Sequence, residues 1–464
     1  MRYLSTLLTT TLCATASFSL SSCAQAQGST NAVPPSEVLD LYDIATAPSA
    51  TRIVDDIQTL VNFGTRHTLS ETESDTQGIG AARRWIFEEF ERISADCGGC
   101  LEVIYVSDTI SGERRIPEPT EVVSVLAIQR GTLDPNRFVM MSGDIDSRVT
   151  DPLNGTDDSP GANDNASGMA GTIEAARILS KRKYAGSIIY AGLSGEEQGL
   201  FGGKIVADHA LKEGWEIKGV LNNDMISNIA GIDGVVNNSV VRVFSEGTRA
   251  NETPEEARIR RFTGGEVDSP SRNLARYIKT QGDQYMVNLD INMVYRLDRY
   301  RRGGHHRPFN DVGIPGIRIM ESHEHYDRQH QDLRSKDGRP YGDTMDGVDG
   351  PYAAKLTALN ALTLAGMAGA PPFPSNVEAS GAVEASAKLT WERPTGKPAE
   401  NLAGYRVHWR ETTAPEWTHS RYVGNVSEWT FENLVIDNYF FGVSAVSKDG
   451  HATPVVFPGP AGRF

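Results

Sequence analysis

Short apolar runs separated by helical stretches are the feature that most limits what this chain can fold into. Predicted strands at 101–106, 122–128, 138–141, 187–190, 219–221, 240–244 and 316–320 alternate with predicted helices at 168–181, 200–212, 271–279 and 352–368. A strand that is apolar on both faces belongs in a sheet covered on both sides, and intervening helices supply the crossovers that parallel strands need. The expected fold is α/β, a mostly parallel central sheet flanked by helices. Ligands in such sheets collect at the carboxyl ends of the strands. Upstream, Ile53, Ile57, Leu60 and Val61 mark one helical face, and Ile86, Phe90 and Ile93 mark another.

The pattern changes at Gly369-Ala370-Pro371-Pro372-Phe373-Pro374. About 90 residues follow with alternating character, and they hold four of the six tryptophans, Trp391, Trp409, Trp417 and Trp429. This tail reads as an all-β immunoglobulin-like sandwich whose aromatics form its core, not a carbohydrate platform. It resembles a fibronectin type III domain: a Trp in an early strand, then Leu434 shortly before a strand opening at Tyr439. The division expected is a signal at 1–23, a tether at 24–50, an α/β domain at 51–370 and the β domain at 371–464.

The first residues read as an export signal, with Arg2 ahead of a weak apolar stretch at 4–20. Leu20-Ser21-Ser22-Cys23 resembles a lipobox, which would leave a lipidated Cys23 attached to a bacterial membrane. Ala24-Gln25-Ala26 offers an ordinary cleavage site instead. Both place the mature chain outside the cytoplasm, in the periplasm, on the outer membrane or secreted. No later run of 18 apolar residues exists to span a membrane. In an oxidising compartment Cys97 and Cys100 are expected to form a local disulfide. The net charge of −15 argues against nucleic acid as a partner, because phosphate binding needs a positive footprint.

Acidic motifs end several of the predicted strands. They are Gly143-Asp144-Ile145-Asp146, Asn163-Asp164-Asn165-Ala166-Ser167-Gly168, Ser194-Gly195-Glu196-Glu197 and Asn222-Asn223-Asp224. A histidine-rich stretch, 321–330, comes later. Each acid alone has a plainer explanation, as a helix cap or a partner of a helix dipole. Together they would repel one another unless cations lie between them, and carboxylate with imidazole is a metal-binding combination.

Pro-Gly-Ala-x-Asp-Asn-x-Ser-Gly followed by Ser-Gly-Glu-Glu-x-Gly-Leu resembles metallopeptidase family twenty-eight, the co-catalytic zinc aminopeptidases and their glutaminyl cyclase relatives. The resemblance runs from Phe63-Gly64-Thr65-Arg66-His67 to about Met367. It implies a peptidase acting on peptide substrates through Zn2+, with two metals. Asp164 matches the bridging carboxylate, Glu197 a ligand of one metal, Asp224 a ligand of the other and Glu196 the general base. His330 is the best match for the last imidazole ligand, with His323 and His325 as competitors. His306 matches a histidine that assists the transition state.

Two positions depart from the family pattern. Asp144 stands where a histidine ligand is usual, and His305 stands where an aspartate is usual. With Asp144 as ligand, one site becomes all carboxylate (Asp144, Asp164, Asp224), open to Mn2+, Mg2+ or Ca2+. Asp146, without its usual imidazole partner, is expected to pair with Arg148. The resemblance implies an aminopeptidase. A glutaminyl cyclase-like acyltransferase, which works with one zinc, and a non-catalytic scaffold are the alternatives. A basic run, Arg296, Arg299, Arg301, Arg302 and Arg307, precedes the His305-His306 motif and is a candidate for holding a substrate carboxylate.

Overall fold

Residues 32–464 are described by a computed structural model; Arg2, Cys23 and the expected signal lie outside the described residues. The chain opens with α1 (Asp40–Thr46), α2 (Ala50–Val61) and α3 (Gly78–Asp96). It continues through β1 (Leu101–Ile110), β2 (Thr120–Gln129), β3 (Asp134–Asp144), α4 (Gly168–Leu179), β4 (Gly186–Leu193), the one-turn α5 (Glu196–Gly199) and α6 (Phe201–Lys212). Then come β5 (Glu216–Asn223), β6 (Val240–Phe244), α7 (Pro254–Thr263), α8 (Pro270–Tyr285), β7 (Asp290–Val294), α9 (His306–Asp311) and β8 (Gly316–Glu321). A small hairpin, β9 (Arg334–Lys336) and β10 (Arg339–Tyr341), precedes α10 (Gly350–Gly369).

The first eight strands form one sheet in the order β1-β2-β4-β3-β5-β8-β6-β7. Its centre, β4-β3-β5-β8, is parallel throughout. The first edge, β1 and β2, is antiparallel; at the other edge β6 runs against β8 but parallel to β7. Alternation explains how the sheet is covered. Val139 and Met141 of β3 join a core with the residues of α2, α3, α4 and α10, while Phe138 and Met140 join a second core with α6 and α9. Nothing polar has to face solvent at the centre, so β4 and β8 are buried along their whole length. The helix α10 is buried nearly all round, as a uniformly apolar helix must be. Asp349 caps it by accepting from the Tyr352 amide at 2.8 Å.

Residues 40–46, assigned from sequence to a tether, are instead a helix whose Leu41 and Ile44 are buried in the main core. Asp40 and Asp43 interrupt the apolar pattern of this short helix. Cys97 and Cys100 are joined by a disulfide just beyond α3.

The last strands are β11 (Ser375–Ser380), β12 (Ala387–Glu392), β13 (Leu402–Glu411), β14 (His419–Gly424), β15 (Glu428–Phe431) and β16 (Tyr439–Ser447). They form two three-stranded antiparallel sheets, β11-β12-β15 and β14-β13-β16. Trp391, Trp429, Tyr405, Phe431 and Phe441 fill the space between them. Trp417 turns outward to α8, where its indole N–H donates to Asn273 at 3.0 Å.

Candidate active site

The acids meet where the alternation of strand and helix puts them. Asp144 ends β3, Glu196 and Glu197 open α5 directly after β4, and Asp224 follows β5. Asp164 sits in the tight turn 162–167 between β3 and α4, and His330 lies in the loop after β8. All are at the carboxyl ends of the parallel strands.

Three of them converge. A carboxylate oxygen of Asp164, one of Glu197 and a ring nitrogen of His330 all lie within 4.8 Å of one another. His330 Nε2 is 3.0 Å from Asp164 Oδ2 and 2.8 Å from Glu197 Oε1. Two carboxylates and an imidazole form a donor set that suits zinc with one position left open. Among the described residues it is the one such group. It lines a cleft of ≈ 700 Å³ that also receives Glu196 and Asp224.

The electrostatics separate the neighbouring glutamates. Burial, followed by the charges of Glu197, Asp224 and Asp144, pushes the Glu196 carboxyl well above its ordinary range. Burial also works to raise Glu197, but the adjacent His330 outweighs it and holds Glu197 low.

Asp144 and Asp224 lie outside the converging set. Asp144 Oδ1 is 2.6 Å from His305 Nδ1, and Oδ2 accepts from the Asn165 amide at 2.6 Å. Asp224 Oδ2 is 2.7 Å from the buried Arg318 guanidinium. Burial raises both carboxyls, to about 8 for Asp144 and about 7 for Asp224. The all-carboxylate site expected from Asp144, Asp164 and Asp224 is therefore not assembled, because two of its three acids are engaged elsewhere. His306 is fully buried, with Nε2 2.9 Å from the Leu297 carbonyl and Nδ1 3.4 Å from Asn222; it is not among the cleft residues. The competitors His323 and His325 do not join the set either.

The pattern of peptidase family M28 matches residues 124–346, and that of the fibronectin type III domain matches 371–457. A probable zinc metalloprotease of Pyricularia oryzae is 39% identical over 452 residues, covering 95% of this chain and 90% of that protein. Another, of Leptosphaeria maculans, is 41% identical over 413 residues, covering 89% and 95%. This chain belongs to peptidase family M28. Two solved structures have a similar fold. LapB of Legionella pneumophila has a TM-score of 0.52 at 17% identity, covering 71% of this chain and 75% of its own. The LapA aminopeptidase of the same organism has 0.51 at 18%, covering 70% and 72%.

Several residues shape this M28 site from a distance, and Asp343 and Gln329 among them carry no motif. Asp343 accepts from the amides of Asn163, at 3.0 Å, and Asp164, at 2.6 Å, and so fixes the turn bearing Asp164. Arg66, fully buried, donates to the carbonyls of Leu60, Ile145, Pro160 and Gly161, clamping the loop that leads to it. Gln329 donates to Asp164 Oδ2 at 3.2 Å. Asp146 does not pair with Arg148. It accepts from the amides of Glu196 and Glu197, at 3.2 and 3.0 Å, capping α5 and aiming the glutamate pair. Arg148 reaches Glu197 Oε2 and His330 Nδ1, each at 2.7 Å. Of the basic run, Arg299, Arg301, Arg302 and Arg307 line the cleft, whereas Arg296 lies over the Tyr300 ring.

Proposed function

We propose that this protein is a zinc-dependent exopeptidase of the aminopeptidase type, exported from the cell and acting on peptides. The observation that carries the reading is the convergence of Asp164, Glu197 and His330 in a cleft that also holds Glu196. The naming of the relatives as probable zinc metalloproteases supports zinc. Zinc held there supplies Lewis acidity to a water and to the scissile carbonyl. Glu196 takes the proton of the attacking water and delivers it to the leaving amine. Action at the amino end is what the resemblance to the co-catalytic aminopeptidases implies. Export rests on the leader read from Arg2 to Cys23, with lipid attachment at Cys23 as its expected form. The Cys97–Cys100 disulfide fits an oxidising compartment.

A glutaminyl cyclase-like acyltransferase is the second reading, favoured by the presence of one three-ligand set. The two separate on substrates. An aminoacyl nitroanilide should be cleaved, its N-acetylated form should not, and a peptide with N-terminal Gln should be shortened without cyclising. A chelator should abolish cleavage and zinc restore it. Cyclisation without hydrolysis would establish the second reading, and cleavage of the acetylated substrate would remove the aminopeptidase assignment.

A further inference from the structure

The two positions at which this chain departs from the family pattern face each other. The resemblance leads one to expect a histidine at 144 and an aspartate at 305; the chain has Asp144 and His305, and their side chains meet at 2.6 Å. The carboxylate and the imidazole have in effect changed places. Both oxygens of Asp144 are committed, one to His305 and the other to the Asn165 amide at 2.6 Å. Neither side chain is exposed to solvent that could offer an alternative partner.

The other acid expected at a second metal is neutralised from within the protein. Arg318 projects from β8 and is fully buried. Its Nη2 is 2.7 Å from Asp224 Oδ2, and its Nε donates to the Asp224 carbonyl at 2.6 Å. Its Nη1 donates to the Gly303 carbonyl at 2.7 Å and lies 3.2 Å from Asp298. A guanidinium keeps its charge at any working pH, and this one is held from three sides. Arg299 adds a second cation 4.0 Å from Asp224 Oδ2. A divalent ion on Asp224 would sit against these charges in a site that water cannot screen.

We propose that this protein carries one metal ion per chain, on Asp164, Glu197 and His330, and that the Arg318 guanidinium stands in the role of the second ion. The proposal rests on the zinc peptidase reading above but can fail separately from it. Arg318 and the Asp144–His305 pair are then one adaptation: the imidazole has left the second site, and a fixed cation offsets the acid that remains.

The test is metal stoichiometry on the full chain, by mass spectrometry after saturation with zinc and removal of the unbound ion. The expected result is about one zinc per chain, unchanged in Asp144→Asn and lost in His330→Gln. A Co2+ titration of the metal-free protein should show one spectral break, at one equivalent. Arg318→Met, if it folds, should admit a second ion; the wild-type and Asp144→Asn counts decide the matter if it does not. Two tightly held ions in the wild type, or loss of metal in Asp144→Asn, would overturn the proposal while leaving a zinc enzyme in place. A count of zero would remove the zinc reading itself.

Discussion

Among the described residues Glu196 has no arginine or lysine ion-paired to its side chain, while its neighbour Glu197 is paired with Arg148 at 2.7 Å. A base needs that freedom; a ligand needs the opposite. Replacing Glu196 with Gln keeps the shape and removes the proton acceptor. Turnover should fall at least about 100-fold, the scale of a positioned base, with zinc content unchanged. Near-normal kcat in that variant would show that another group takes the proton. The roles proposed for Asp164, Glu196, Glu197 and Asp224 are what the family resemblance implies, and the resemblance is carried by short motifs. The partners that decide what each acid does are far away in the chain. Arg318 lies 94 residues from Asp224 and His305 lies 161 from Asp144. No local pattern announces such pairs, so that Asp144 faces His305 and Asp224 faces Arg318 is visible only in the folded chain.

At the scale of elements, the ends of strands do the positioning. Glu321 closes β8 and accepts from the Asn163 side chain at 2.9 Å and the Asn228 amide at 3.0 Å, so it steadies the turn that carries Asp164. Burial pushes its carboxyl up to about 8, against an ordinary 4.5. A group raised on folding contributes its stability fully below the unfolded value and loses it as pH rises through the folded one. The wild-type thermal midpoint should therefore fall between about pH 5 and 8 more steeply than that of Glu321→Gln, which has no charge to acquire. Parallel slopes for the two proteins would show that Glu321 carries no part of the pH dependence. The segment after β7 and the first turn of α9 bring their arginines to the cleft, but they are not equivalent. Arg299 and Arg302 are spent on Glu324, at 3.0 and 3.4 Å. Arg301 and Arg307 line the cleft and, among the described residues, form no ion pair with an acid. Gln in place of both should raise KM roughly 2- to 5-fold for each for peptides with a free carboxylate, the scale of an exposed pair, and spare their amides. Equal effects on acid and amide would assign these residues to the cleft wall alone. The strands of the central sheet were legible because burial on both faces leaves them apolar. The helix α9 was not, since its six residues, His306–Asp311, contain a proline and two polar ends.

For the whole molecule, the question is how far the β domain is a separate body. Its Pro-rich junction suggests a detachable module, yet the contact between the domains is built like an interior. Asp268, fully buried in the α/β domain, is held by Arg276 of α8 at 2.7 Å and by Arg410 of β13 through two contacts of 2.9 Å. Arg276 and Tyr295 both donate to the Pro415 carbonyl, at 2.7 and 2.8 Å. Arg137, almost fully buried, donates to the carbonyls of Met367 and Ala370 at 3.0 and 2.7 Å, fixing the chain where it leaves α10. None of residues 371–464 lines the cleft. Stability and chemistry should therefore come apart on truncation. A chain ending at Ala370 uncovers Asp268 and the outer face of α8 and leaves Asp268 with one of its two arginines. Removing a partner from a buried ion pair costs about 3–5 kcal/mol when the remaining charge stays buried, and less here because Arg276 remains and water enters. At roughly 2–4 °C per kcal/mol for a domain of this size or somewhat smaller, the thermal midpoint should drop by several degrees. Turnover per folded molecule on small aminoacyl substrates should stay within about twofold, since no group that touches them has been removed. The single substitution Arg410→Met should reproduce part of the loss of stability with the β domain still present. An unchanged midpoint in both variants would mean that the ion-paired junction adds nothing; a soluble truncated chain that binds zinc but cannot turn over would mean that the β domain shapes the cleft from a distance.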